Sequence, residues 1–198
     1  MRFAGDYRVY GTTHWINGEV SKDDWSLDDL VNWERIEEQT TTGPNPPSTW
    51  AAGHVNRWHT NDSHALRNSH DSNHQHSARV ALLIMHLFPD ADIQLIKAAP
   101  HHDLPEKKTG DMSGETKREI PELANILETA EADWHFANGT VITKDPRLKL
   151  CDSIDAILWA WSVDPALMAR DDWQRHIQQV LTSAGALGVR DQVKEILG

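Results

Sequence analysis

His101-His102-Asp103, following Pro100, sets an imidazole and a carboxylate on neighbouring backbone positions, a pair that a divalent metal can take as ligands. Further candidates flank it in segments that read as helices, His76 upstream and Asp152 downstream. Two histidines and two aspartates leave positions open on a six-coordinate ion. Open positions belong to a catalytic metal rather than a structural one. Each ligand taken alone has an ordinary alternative. His76 falls on the apolar face of Val80 and Leu83, where a histidine more often bonds a backbone carbonyl. Asp152 and Asp155 stand three apart among Leu150, Cys151, Ile154 and Ile157. A carboxylate on a buried helix side needs a partner or a metal, but both could also face solvent or bridge to an arginine. The tract ending at His76 holds His54, His59, His64, His70 and His74 as well, so His74 and His101 compete for the ligand roles.

The elements that must position these residues are read from caps and apolar spacing. His14-Trp15-Ile16 and Glu19-Val20 flank Asn17-Gly18, a type I′ hairpin signal. Ser26 as an N-cap opens a short helix to about Glu38, and the run from Thr40 to Thr49, with Pro46-Pro47, is a breaker-rich linker. From Trp50 the chain reads as helical. A polar loop from Thr60 to Asp71 leads to a helix over about Ser72 to Phe88, with Val80, Leu83, Ile84 and Leu87 on one face. The next helix opens at Asp90 and is disrupted by Pro100, which puts the His-Asp pair at a helix end. A long helical pattern from Ser113 to about Phe136 is interrupted at Pro121. Asp145-Pro146 and Asp164-Pro165 each begin a helix, and a last amphipathic one ends at Leu197. The expected fold is all-α, with residues 1–49 an irregular or β-hairpin extension plus linker and residues 50–198 the main domain.

Composition sets limits on function. A net charge of −11 argues against general nucleic-acid binding, yet a metal and a few placed cations can still make a local anion site. No apolar run suits a bilayer span, and MRFAGDYRVYG has no signal-peptide core, so a cytoplasmic protein with no membrane partner is expected. The single cysteine, Cys151, reads as a buried thiol in a reducing compartment.

In order, Arg57-Trp58, His76-Ser77, His101-His102-Asp103, Glu106, Thr109-Gly110-Asp111-Met112 with Lys117, and Cys151-Asp152-Ser153 resemble the motifs of the HD-domain phosphohydrolases. The likeness is to the YfbR-like 5′-deoxynucleotidases and the small phage-type deoxynucleoside triphosphate triphosphohydrolases, and it covers about half the chain. It implies an all-helical HD-domain bundle with His76, His102, Asp103 and Asp152 on one divalent ion (Mn, Co, Zn or Mg). It implies hydrolysis of a 2′-deoxynucleotide at its 5′-phosphate ester, either a triphosphate (a purine such as dATP) or a monophosphate. Glu106 would orient or deprotonate water, and Asp111 would position it or bond the sugar. Arg57 and Lys117 would meet phosphate, Trp58 the base or sugar, and Thr60, with Asn61, a base edge. Lys107 after Glu106 disfavours the alarmone-hydrolysing branch. An HD-family phosphodiesterase and a noncatalytic metal-containing assembly protein are the alternatives. The Trp-rich helices suggest a homo-oligomer, a dimer or hexamer.

Overall fold

The computed structural model describes residues 46–112 and 114–198, preceded by the backbone of two short strands. The chain divides into two units, Met1–Pro46 and Pro47–Gly198. In the first, β1 (Trp15–Ile16) and β2 (Glu19–Val20) pair antiparallel, with Trp15 opposite Val20 and Ile16 opposite Glu19. The expected tight turn between them, the helix after Ser26 and residues 40–45 of the linker lie outside the described residues.

The second unit is helical. Short helices α1 (Ser48–Ala52) and α2 (His64–Arg67) precede α3 (Asn73–Leu87), the helix that carries His76. The region read from sequence as a continuous polar loop thus contains a helical turn, started by Ser63, whose hydroxyl accepts from the Leu66 N–H. A reciprocal cap starts α3: Ser72 Oγ accepts from the Gln75 N–H, and Gln75 Oε1 accepts from the Ser72 N–H at 3.1 Å. Helix α4 (Ile93–Ala98) opens at Asp92 rather than Asp90, because the Asp92 carboxylate takes the Leu95 N–H at 2.8 Å. Pro100 cannot donate to the helix ladder, and α4 ends just before it.

Beyond the His-Asp turn come α5 (Glu106–Thr109), α6 (Gly114–Glu119) and α7 (Pro121–Asn138), the last two parted at Pro121. Gly139 closes α7 in the left-handed region at φ 60°, which a glycine adopts without steric cost. Helix α8 (Pro146–Val163) starts at the Asp145-Pro146 signal, with Asp145 accepting from the Arg147 N–H at 2.9 Å. The second Asp-Pro signal gives only a 3-10 turn, Pro165–Ala169, before α9 (Asp171–Ala186) and α10 (Arg190–Leu197).

The main core lies between α3, α8, α9 and α10. Val80 and Ile84 of α3 meet Cys151, Ile154 and Ile157 of α8, with Val180, Ala184 and Val193 closing the other side. Removing that much aliphatic surface from water, roughly 25 cal/mol per Å², fixes the rotation of α3 against α8. His76 and Asp152 lie one turn from these core residues, so the same rotation aims them at each other. Among the described residues, no helix is long and apolar enough to cross a membrane.

Candidate metal centre

His76, His102, Asp103 and Asp152 offer four ligand atoms that all lie within 4.8 Å of one another. His76 Nε2 stands 3.2 Å from His102 Nε2, 3.3 Å from Asp103 Oδ2 and 3.2 Å from Asp152 Oδ1. His102 Nε2 is 3.3 Å from Asp103 Oδ2 and 3.9 Å from Asp152 Oδ1. Ligands bonded at about 2.1 Å to one ion stand roughly 3.0–3.4 Å apart when adjacent; the separations fall in that range except the wider one between His102 and Asp152.

Both imidazoles are oriented for the task. His102 Nδ1–H donates to the Ala99 carbonyl at 2.7 Å, and a carbonyl can only accept. His76 Nδ1–H donates to Asp155 Oδ2 at 2.7 Å. Each histidine therefore turns an Nε2 lone pair inward, and each has the outer partner expected of a metal-bound histidine. His101 points elsewhere: its Nδ1 accepts from the Val141 N–H at 3.1 Å. His74 packs over Gly53, where an added Cβ would overlap the His74 ring.

The charges show the same pull toward a cation. Burial alone would lower His76, but its hydrogen bonds with Asp103, Asp152 and Asp155 lift it to about 10. Burial would raise Asp103 and Asp152; the facing histidines, and Lys149 for Asp152, outweigh it and hold both below the usual carboxylate range. Without a cation, the four groups are satisfied only by protons on the histidines. The donor set and its spacing could hold a divalent ion, with His76, His102, Asp103 and Asp152 as ligands.

Glu106 is not a solvated loop acid. Its Oε2 accepts from Asn73 Nδ2 at 3.1 Å, and Asn73 also donates to the Asp103 carbonyl at 2.9 Å. Burial, then the charges of Asp103 and Asp111, push the Glu106 carboxyl up to about 9. Asp111 Oδ2 accepts from the Trp58 N–H at 2.6 Å, holding Trp58 in the left-handed region at φ 68°. Thr60 Oγ1 reaches the Asp111 carbonyl at 3.5 Å. Trp58, Thr60 and Asp111 line a cleft of about 700 Å³ together with Trp173, Arg175 and His176 of α9. The Trp58 and Trp173 rings lie 6.3 Å apart, tilted by 33°. Arg57 is nearly buried and reaches three carboxylates, Asp71 at 3.5 Å, Asp155 at 3.7 Å and Asp152 at 3.9 Å.

Lys117 pairs with Glu131 at 3.7 Å and does not line the cleft, whereas its neighbours Thr116 and Arg118 do. Lys149, absent from the sequence expectations, holds Asp152 Oδ2 at 2.7 Å; the signal was its place three residues before a candidate ligand on a helix. Asp155 bridges to an arginine, one of the readings open for it from sequence, and that arginine is Arg79; neither was expected at the site, though each stands three residues after a candidate ligand. The chain matches no family model, and comparison with curated proteins and with solved structures returns no match.

Proposed function

We propose that this chain is a metal-dependent phosphohydrolase of HD type that cleaves 2′-deoxynucleotides at the 5′-phosphate ester. The observation that carries the reading is the convergence of two inward-facing imidazoles and two carboxylates beside a carboxyl, Glu106, that Asn73 holds in place and whose proton affinity burial and the neighbouring Asp103 and Asp111 raise. A divalent ion held by the four ligands would polarise a phosphoryl oxygen, acidify a water and, by its charge, ease Glu106 toward the carboxylate. Glu106 then takes the proton of the attacking water, while Asn73 keeps its Oε2 in place. Water adds to the α-phosphorus as the bond to the 5′-oxygen breaks, and that oxygen leaves as the deoxynucleoside hydroxyl after gaining a proton. Arg57 supplies a fixed positive charge at the same point, and its guanidinium is 5.2 Å from the Trp58 ring.

The cleft beside the site favours a whole nucleotide over a bare phosphate ester, since about 700 Å³ is ample for one. Arg118 and Arg175 line it among four acids, Asp62, Asp111, Glu119 and Asp172; these two arginines would give a triphosphate tail the cations that a monophosphate does not need. We therefore favour a deoxynucleoside triphosphate triphosphohydrolase that releases tripolyphosphate. Purified protein loaded in turn with Mn²⁺, Co²⁺, Mg²⁺ and Zn²⁺ is incubated with each dNTP and dNMP, and the released phosphate species is identified. Tripolyphosphate from a dNTP is the expected product; orthophosphate from dNMPs alone means a 5′-nucleotidase. Glu106→Gln is expected to keep metal binding and to lose about 10²–10⁴-fold in turnover. No turnover with any of the four metals would sink the enzyme reading.

A further inference from the structure

A partly buried chain of ion pairs and hydrogen bonds runs from the cleft to the candidate metal ligands, and the sequence motifs account for none of its middle members. Trp58 Nε1–H donates to Asp71 Oδ2 at 3.1 Å. Arg79 Nη2 donates to Asp71 Oδ1 at 2.8 Å. The same arginine grips Asp155 with two donors, Nε to Oδ1 at 2.6 Å and Nη2 to Oδ2 at 3.0 Å. Asp155 Oδ2 in turn receives His76 Nδ1–H. Asp71 is fully buried, and both of its oxygens are committed. Its backbone is held as firmly: its carbonyl accepts from the Arg57 N–H at 2.8 Å, and Ser72 beside it bridges to Asn56. Trp58 and His70, near the two ends of this clasp, both sit in the left-handed region, at φ 68° and 52°. Non-glycine residues occupy that region at a cost that the surrounding structure must offset.

We infer that Asp71 is a positioning residue that ties the cleft tryptophan Trp58 to the metal ligand His76, so that a change at the Trp58 indole is felt as a change in metal affinity. The inference rests on the metal centre described above, not on the identity of the substrate. An aspartate is required because the position must accept from donors on both sides. An asparagine has one acceptor and turns its amide N–H₂ either against Arg79 or against Trp58 and Arg57, whose donors both face Oδ2. Once Arg79 loosens, Asp155 loses the fork that fixes its angle, and His76 loses the partner that holds its Nε2 toward the other ligands. Partners of metal-bound histidines carry about 10–100-fold in metal affinity.

The test reads Co²⁺ binding by calorimetry and the visible Co²⁺ absorption bands, on full-length protein whose fold is checked by far-UV circular dichroism. Asp71→Asn is expected to weaken Co²⁺ by about tenfold and to shift the bands, although Asp71 does not touch the ion. Trp58→Phe keeps an aromatic ring, though a smaller one than the indole, and deletes the Nε1–H donor to Asp71; it is expected to weaken Co²⁺ by about threefold. Asp172→Asn, which breaks an ion pair with Arg170 elsewhere in the cleft, serves as the control and leaves Co²⁺ binding as it was. If Asp71→Asn folds and binds Co²⁺ with unchanged affinity and spectrum, the inference is wrong. If Asp71→Asn does not fold, Trp58→Phe decides in the same way. A wild-type protein that binds no Co²⁺ removes the metal centre, and this inference with it.

Discussion

His76 carries a conflict between its burial and the three carboxylates that face it, and its proton is the competitor any metal there would have to displace. Three carboxylates hold that proton to about pH 10, while a ligand nitrogen must be neutral. Metal binding therefore releases protons, and the apparent affinity rises with pH until His76 is neutral without help. Titrating Mn²⁺ or Co²⁺ at pH 6, 7 and 8 should give a steadily tighter dissociation constant, with proton release seen as a dependence of the heat on buffer ionisation enthalpy. An affinity flat across that range would mean that the histidine is already neutral. The four candidate ligands were legible as residue types because histidine and aspartate among apolar neighbours are costly without a partner. Their ranking over His74 and His101 came from the resemblance, not from any local rule. The geometry gives a physical reason: the His101 ring is occupied by the Val141 N–H, a contact forty residues away that no local pattern encodes.

The caps of α3 and α8 do at the scale of elements what the ligands do at the scale of residues. His76 lies on the second turn of α3, directly after the Ser72–Gln75 capping box. Ser72→Ala removes the hydroxyl that accepts the Gln75 N–H and should cost about 1 kcal/mol, a fall in melting temperature of roughly 2–4 °C for a domain this size. It should also loosen the turn that aims His76, and so weaken Co²⁺ binding. A melting temperature lowered with metal affinity unchanged would separate the cap from the site. Cap chemistry is why so much of the helical order was readable. Asp145-Pro146 and Pro121 act within a few residues, and each marks a boundary where it was expected. Asp164-Pro165 misled because its signal is local too: it specifies a first turn, and here the turn stays a 3-10 segment whose backbone returns at Arg170 to an extended conformation before α9 begins. The pairing of Asp71 with Arg79 and Trp58 had no local signature, since it depends on how the segment before α3 folds back on residues 55–57. Lys117 shows the same limit from the other side: its expected place at phosphate was read from motif order, and its charge is partnered with Glu131 across α6 and α7.

Among the described residues much of the buried charge gathers around His76, and that gives the stability of this unit a dependence on pH. In the metal-free protein, His76 moves from an ordinary 6.5 to about 10. The folded state thus binds more protons than the unfolded one across that window; the stabilisation is complete below 6.5 and is lost as pH rises toward 10. Glu106, lifted from 4.5 to about 9, has the same sign over its own window, because a buried carboxylate beside Asp103 and Asp111 is more costly than a buried acid. Asp103 and Asp152, held low, act oppositely, and their contribution is lost only as pH falls below the ordinary 3.8. Together these four groups favour the metal-free cluster on the acid side, between about pH 4 and 6, while burial of His101, His135 and His176, which lowers each of them, acts the other way as pH falls through 6.5. A bound divalent ion takes the place of those protons, and its binding free energy adds to folding, more strongly as pH rises. Thermal melts of the chelator-treated protein should therefore show a lower melting temperature at pH 8.5 than at pH 5.5, and saturating Mn²⁺ should close or reverse that gap. A metal-free melting temperature that rises from pH 5.5 to 8.5 would mean that the protons on His76 and Glu106 do not hold this cluster together.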